Sequence, residues 1–295
     1  MLVGTRRPAG DCQRGHCQQG HCQRAQTLLI GPFQQLRPVA SGEQGSTLAC
    51  LCCWLAMELE FRRVVFFGRS AAECLEMYGL APAQWLGASV LDCPGGPGSL
   101  AAVLGEAGLD VTAVDPWYGA SPECLDRQAR GDIALAMEQI AAADHLAAGF
   151  DLKAYRTEKH RALEAFLADY GRRPQRYVQA ALPVLPFADA SFDLVLSGHL
   201  LFSYAPLDVG GLMPTGGFDF AWHRRAIAEL MRVCRREVRI YPAHTLQGLA
   251  RRHPYAEALL AELPAGWAGR FQPSRYVQGH IGSTEGLHLE RLTPA

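Results

Sequence analysis

Val90-Leu91-Asp92-Cys93-Pro94-Gly95-Gly96-Pro97-Gly98 is the stretch that decides the fold. An apolar strand ends in an acid, and the acid runs directly into a turn carrying Gly95, Gly96 and Gly98. A helix-like run, Ser99 to Leu104, follows at once. Glycines at such a turn let backbone approach a ligand where a Cβ would collide. A second apolar strand then closes on another acid, in Val111-Thr112-Ala113-Val114-Asp115. Strand, glycine turn, helix, strand, acid is the layout of nucleoside-cofactor sites on doubly wound α/β sheets.

Two cofactor classes share that layout. As a dinucleotide fingerprint, Gly96 to Ala101 fits G-x-G-x-x-A, with Asp115 where a ribose acid belongs. In dehydrogenases, however, the first glycine comes directly off the strand and the pyrophosphate sits on the helix N-terminus. Asp92 occupies the strand end instead. An anion there repels a pyrophosphate, yet accepts hydrogen bonds from an ammonium group. S-adenosylmethionine carries an ammonium and a sulfonium and no phosphate, so the acid favours that cofactor.

The same stretch resembles motif I of class I S-adenosylmethionine-dependent methyltransferases, D-x-G-x-G-x-G. Leu185-Pro186-Phe187-Ala188-Asp189-Ala190-Ser191-Phe192-Asp193-Leu194-Val195 resembles the L-P-F-x-D-x-S-F-D-L-V run ("type 11"-like) that leads into the family's fourth strand. An amphipathic helix over Phe220 to Val233 and a fifth strand over Glu237 to Pro242 continue the order. With Gly68-Arg69-Ser70 ahead of motif I, the chain from 66 to 295 is similar to an uncharacterised bacterial branch. The resemblance implies a seven-stranded Rossmann-like doubly wound sheet finished by an antiparallel hairpin, with a helical insertion after the second strand. It implies S-adenosyl-L-methionine held by Asp92, Pro94, Gly95, Gly96, Gly98, Asp115, Pro116, Ala181, Leu182 and Ser197. His199, with Tyr204 second, is the implied base or acceptor-orienting residue. Three departures accompany it: Pro94 replaces the first motif I glycine, Ala180-Ala181-Leu182 replaces the usual Gly-Asp-Ala, and Arg235-Arg236 stands where a Lys-Pro-Gly-Gly turn is usual.

A chain of 295 residues is ample for a buried core. Its 28 Lys+Arg against 29 Asp+Glu leave a net charge of −1, so no global field recruits nucleic acid or anionic membrane. No apolar run reaches the ~18 residues of a membrane-spanning helix. The partner expected is a small-molecule substrate, with neither nucleic acid nor membrane. Six of the ten cysteines fall before residue 54, and a disulfide framework would be spread through the fold, so a reducing cytoplasm is expected.

Residues 1–57 form a separate low-complexity Cys/His/Gln-rich segment. Its near-repeat, residues 12 to 25, offers Cys12, His16, Cys17, His21 and Cys22 as a zinc or copper tract. Structural zinc sites carry paired ligands on two arms, whereas this is one polar tract with little to bury, and it is read as disordered. Fold-like patterning starts just after Met57, so the segment is also open to being non-natural coding sequence. Residues 58–295 make the catalytic domain, and no metal site is expected in it.

Within that domain, Ser70 and Glu73 predict a capping box. Ser99 to Ala107 predicts a helix ended by Gly108. Ser121-Pro122-Glu123 opens one inserted helix and Thr157 to Tyr170 marks another, giving an insertion over about 119–176 that roofs the pocket. Asp208 to Gly217 has four glycines and reads as a mobile flap or a tolerated insertion. Asp193 is expected to cap strand four, and His223 to be a surface or satisfied-core residue. Arg270 to Leu292 alternates as two strands. Two further functions stay open: a weakly active or inactive nucleoside-binding protein of the same fold, and an NAD(P) oxidoreductase.

Overall fold

The structure is a computed structural model and describes residues 60–143, 149–276, 279 and 281–292. The Cys/His tract and the expected order of residues 1–57 lie outside the described residues.

Five of the six α-helices described begin at a side-chain cap. α1 (Ala71–Tyr78) starts from a complete capping box, with Ser70 and Glu73 exchanging side-chain and backbone bonds, and ends on left-handed Gly79. α2 (Leu100–Glu106) follows the glycine turn. α3 (Pro122–Ala142) is capped by Ser121 with a first-turn proline, and α4 (Leu152–Arg172) by Asp151. α5 (Phe220–Val233) is capped by Asp219 and buries Ala226, Ile227, Leu230 and Met231. α6 (Pro254–Ala261) is capped by the His253 ring.

The strands are β1 (Ser89–Asp92), β2 (Asp110–Val114), β3 (Tyr177–Val178), β4 (Phe192–Gly198), β5 (Cys234–Tyr241), β6 (Trp267–Pro273) and β7 (Glu285–Arg291). They form one seven-stranded sheet in the order β3-β2-β1-β4-β5-β7-β6. β3 to β5 pair in parallel, and β7 runs antiparallel between β5 and β6. This is the seven-stranded doubly wound sheet with a terminal hairpin that the resemblance implies. The order reverses between β1 and β4, and at that switch point the carboxyl ends of adjacent strands part to leave a crevice.

The crossover from β2 to β3 contains both α3 and α4, longer than one helix requires. α4 covers one face with an aromatic cluster in which Phe166 meets Tyr118, Tyr170 and Tyr177 at centroid distances of 5.4–5.8 Å. Buried Asp169 accepts from Tyr177 Oη (2.8 Å) and Arg176 Nη1 (2.7 Å), and Arg176 also reaches Ala101 O. On α3, buried Asp132 accepts from Arg63 and from Phe66 N (2.6 Å). That bond clamps the segment before α1 over the carboxyl edge of the sheet. The second core layer lies under α5 and α6, where Leu91, Val195, Val238, Ile240 and Leu287 are buried.

The glycine-rich segment 208–217 is packed rather than loose. Leu212 N donates to Ser203 O (2.8 Å) and Met213 N to Ala205 O (3.2 Å). A Cβ on Gly211 would stand 2.0 Å from Ala205 O, so close backbone contact explains that glycine. Asp193 accepts from Ser89 N (3.1 Å) and Arg235 (2.8 Å), tying the starts of β4, β1 and β5 together. His223 is a satisfied core residue: its Nε2 accepts from Phe202 N (2.9 Å), its Nδ1 faces Asp219 O, and burial lowers its pKa to about 4.

Candidate active site

The glycine turn is held from three sides. Cys93 N donates to Leu196 O of β4 (2.9 Å), and Gly95 N to Val114 O of β2 (2.8 Å). Ser99 N donates to Arg69 O (3.0 Å), and the Ser99 hydroxyl accepts from Ala71 N (2.9 Å). The Cys93–Pro94 peptide is cis, so Pro94 shapes the turn at the place of the missing glycine.

The glycines serve different needs. A Cβ on Gly95 would stand 2.6 Å from Tyr118 Oη, so its constraint is packing inside the protein. Gly96 has φ +55°, a left-handed conformation, and the space over it is open except for Phe67 O at 3.5 Å. A Cβ on Gly98 would press on Arg69 O at 2.9 Å. Only Gly96 therefore presents open backbone to the crevice.

Asp92 ends β1, and Asp115 follows β2 in the neighbouring position. Each is 6% exposed. Asp115 accepts from Trp117 N (2.9 Å) and Gly96 N (3.2 Å), and Tyr118 Oη donates to Gly96 O (2.7 Å). Asp92 accepts no hydrogen bond from any described residue. Burial, and then the charge of Asp115, push the Asp92 carboxyl up to about 8. Burial raises Asp115 to about 7 against its two backbone donors. Asp115 holds the better hydrogen-bonded charge of the pair, so it ionises first and Asp92 second.

The other residues expected from the sequence line the same crevice in part. Pro116 follows Asp115, and its carbonyl accepts from Gln179 Nε2 (3.1 Å). Ala181 and Leu182 lie just beyond β3, with Leu182 buried and Ala181 half-buried. Ser197 is buried near the end of β4, and its Oγ has no partner among the described residues. His199 directly follows β4. Its φ of +54° is sparsely populated for a residue with a Cβ, its N donates to Tyr241 O (2.7 Å), and its ring meets Tyr241 at 5.4 Å. Tyr204 lies deeper. Its hydroxyl accepts from Val65 N (3.2 Å), and burial pushes its pKa up to about 12.

Sequence reasoning missed Tyr118, Phe67 and Arg69. Phe67 O faces Gly96, and a Cβ on Gly68 would fall 2.1 Å from Pro97 O. The only available signal was Gly68-Arg69-Ser70, a small residue and a cation next to a helix cap. Among the described residues no three His, Cys, Asp or Glu side chains converge on a metal position.

No family model matches the chain, and no curated protein matches it. Among solved structures it is similar to magnesium protoporphyrin IX methyltransferase from Synechocystis PCC 6803 with bound SAM, at 16% identity over 71% of this chain and 72% of that one (TM-score 0.39). It is similar to 1,6-didemethyltoxoflavin-N1-methyltransferase from Burkholderia thailandensis with bound 1,6-didemethyltoxoflavin and S-adenosylhomocysteine. That match has 15% identity over 76% and 79% of the two chains (TM-score 0.42). A SAM-dependent methyltransferase of Methanosarcina mazei matches at 16% identity over 73% of this chain and 99% of that one (TM-score 0.37). Scores of this size add nothing to the fold, which the strand order establishes by itself.

Proposed function

We propose that this chain is an S-adenosylmethionine-dependent methyltransferase acting in line on a small-molecule acceptor. One observation carries the reading: the Asp92 carboxyl is buried at the switch point, beside Asp115, with no hydrogen-bond donor among the described residues. The Asp92 oxygens are not fully enclosed, so they are open to a donor that enters the crevice. A ligand ammonium satisfies them, and ribose hydroxyls suit the remaining lone pairs of Asp115. A pyrophosphate would bring two further negative charges against the same pair, which disfavours NAD(P).

When bound, the cofactor supplies an activated sulfonium methyl. The protein's part is to hold the nucleophile on that axis and to keep water out. Asp92 and Asp115 fix the ligand from the ends of β1 and β2, and open backbone at Gly96 lets it approach. Ser197 Oγ and the Ala181-Leu182 backbone complete the cofactor wall. His199, at the end of β4, takes the proton from an acceptor that must lose one. Tyr204, its hydroxyl engaged by Val65 and its pKa raised, orients rather than accepts protons at neutral pH. No helix among the described residues is long and apolar enough to cross a membrane; a cytoplasmic location belongs to the proposal.

A second reading, binding without turnover, is favoured by the absence of an acid at Ala181, where adenine would lose a charged contact. Calorimetric titration of the full chain with S-adenosylhomocysteine, NAD in parallel, tests the cofactor. Micromolar binding of the former alone supports the proposal, and binding of NAD alone overturns it. Methyl transfer from labelled cofactor to any member of a hydroxyl, amine and thiol acceptor panel separates turnover from mere binding.

A further inference from the structure

α5 and α6 leave a groove of about 600 Å³ between them, with Ile227, Ala228, Met231, Leu259, Leu263 and Trp267 as its apolar surface. Ile227, Met231 and Leu259 belong to the core below, whereas Leu263 and Trp267 are half-buried and Ala228 is exposed. Arg291, at the groove's rim, donates to Cys234 O at the start of β5, and Trp267 begins β6. The groove therefore lies at the edge where β5 and β6 begin, opposite the edge that carries Asp92, Asp115 and His199.

Four arginines and one acid line it: Arg224, Arg225, Arg232 and Arg291 against Glu262. Two of the cations are neutralised. Arg224 pairs with Glu262 (3.2 Å), and Arg232 with Glu229 (2.8 Å) and Asp189 (2.7 Å). Arg225 has no acid within ion-pair distance among the described residues. Arg291 donates to backbone alone, Met231 O (3.2 Å) and Cys234 O (3.0 Å), and its guanidinium carbon lies 4.8 Å from the centre of the Trp267 ring. Those contacts fix the plane of the guanidinium before a partner arrives, so little rotamer freedom remains to be lost.

The two unneutralised cations stand at opposite ends of the apolar floor. Arg225 is in the second turn of α5, and Arg291 is bonded at Met231, six residues on, about 9 Å along the helix axis. That spacing selects among occupants. A fatty carboxylate has one charge and would leave one end bare. A second copy in a two-fold contact would set the same cationic rim against itself. A nucleic acid would place phosphates over an apolar floor. An α-helix with acids at i and i+7 spans about 10.5 Å, and its residues at i+3 and i+4 fall on the same face between them.

We infer that this groove docks an acidic amphipathic helix of a partner protein, with its apolar residues over Met231, Leu263 and Trp267 and its carboxylates on Arg225 and Arg291. Helix-in-groove recognition reads such i, i+3, i+4 and i+7 anchors, and aromatic residues and Met are enriched in interfaces. The groove shares no residue with the glycine turn or the carboxyl ends of the strands, so the inference stands apart from the methyltransferase reading.

The test uses the full chain and two synthetic helical peptides of about 15 residues, read by fluorescence anisotropy. One carries Glu at i and i+7 and Leu at i+3 and i+4; the other has Lys in place of both Glu. The acidic peptide should bind in the micromolar range and the basic one at least about tenfold more weakly, with affinity falling as salt is raised. Arg225→Gln and Arg291→Gln should each weaken the acidic peptide about three- to tenfold. Arg225 is exposed and has no described partner to lose, so Arg225→Gln decides the matter if Arg291→Gln does not fold. Equal affinity for the two peptides, no binding of either, or unchanged affinity in Arg225→Gln overturns the inference. Sodium dodecanoate or a single-stranded oligonucleotide that binds where the acidic peptide does not assigns the groove to an acyl anion or to nucleic acid. A dimer in sedimentation that Leu263→Gln dissociates assigns it to a second copy of the chain. Each of those results also overturns the inference.

Discussion

Nucleoside binding should expel protons from the Asp92–Asp115 pair, and the pKa values fix how many. With Asp92 near 8 and Asp115 near 7 in the free protein, at pH 7 about nine-tenths of a proton sits on Asp92 and half on Asp115. A ligand that offers an ammonium to one and hydroxyls to the other favours both ionised forms. Full ionisation at pH 7 releases about 1.4 protons, and costs about 1.4 kcal/mol to bring Asp92 from its free pKa to that pH. Affinity for S-adenosylhomocysteine should therefore rise about thirtyfold per pH unit between 6 and 7.5, then level off above pH 9. The assay is calorimetry at pH 7 in phosphate, HEPES and Tris, because the slope of heat against buffer ionisation enthalpy counts protons. Asp92→Asn should reduce the release to half a proton or less. Tight binding with no proton release at pH 7 would refute the reasoning, since the two carboxyls would not then face the ligand.

The same raised values act on the free protein, and the histidines act at the other end of the scale. A carboxyl raised from 3.8 to about 7 or 8 stabilises the fold below pH 3.8 and loses that contribution as pH rises to its folded value, so Asp92→Asn should gain stability at pH 8 in urea unfolding. His253 and His288 are lowered to about 3 and His223 to about 4 by burial, so stability is lost as pH falls from about 6.5 through those values, by up to about 2 kcal/mol per histidine at pH 5. His253→Gln should flatten that loss between pH 7 and 5. Asp115→Ala should weaken S-adenosylhomocysteine by about 1.5–3 kcal/mol, ten- to a hundredfold by titration; unchanged affinity would remove its role. Gly96→Ala should cost about 1–2 kcal/mol in unfolding for its left-handed conformation. Tyr204→Phe should lose about 1 kcal/mol of stability by leaving Val65 N unpaired, with no shift in the pH profile of turnover.

The elements that bury both faces were the legible ones. β1 and β2 are continuous apolar runs bracketing a glycine turn, and α5 announces both ends by Asp219 and by its 3.6-residue period. α4 begins at Leu152, five residues before the run that the sequence marks, because Leu152 and buried Tyr155 alone do not set a helical period and only the Asp151 cap marks the start. β5 starts at Cys234, which already pairs with Phe192, rather than at Glu237; the exposed Arg235 and Arg236 fall at the register shift between those pairs and have the composition of a turn. β3 is two residues long and leaves no periodicity to find. The site divides in the same way. Asp92, the glycines and Asp115 follow from spacing, but the isolation of the Asp92 carboxyl depends on which donors the folded chain brings near it. Composition and spacing carry no record of that.

α5 ends at Val233 and β5 begins at Cys234, with no connecting residue between them. That junction has no slack. Adding one residue there would turn the helix by about 100° against its strand or move the strand's inward side chains outward. Tyr241, which stands beside His199, would then be displaced by a change seven residues away. The segment works as a ratchet in which length, not composition, is fixed, so single-residue insertions should be far more damaging there than substitutions of the exposed Arg235 or Arg236.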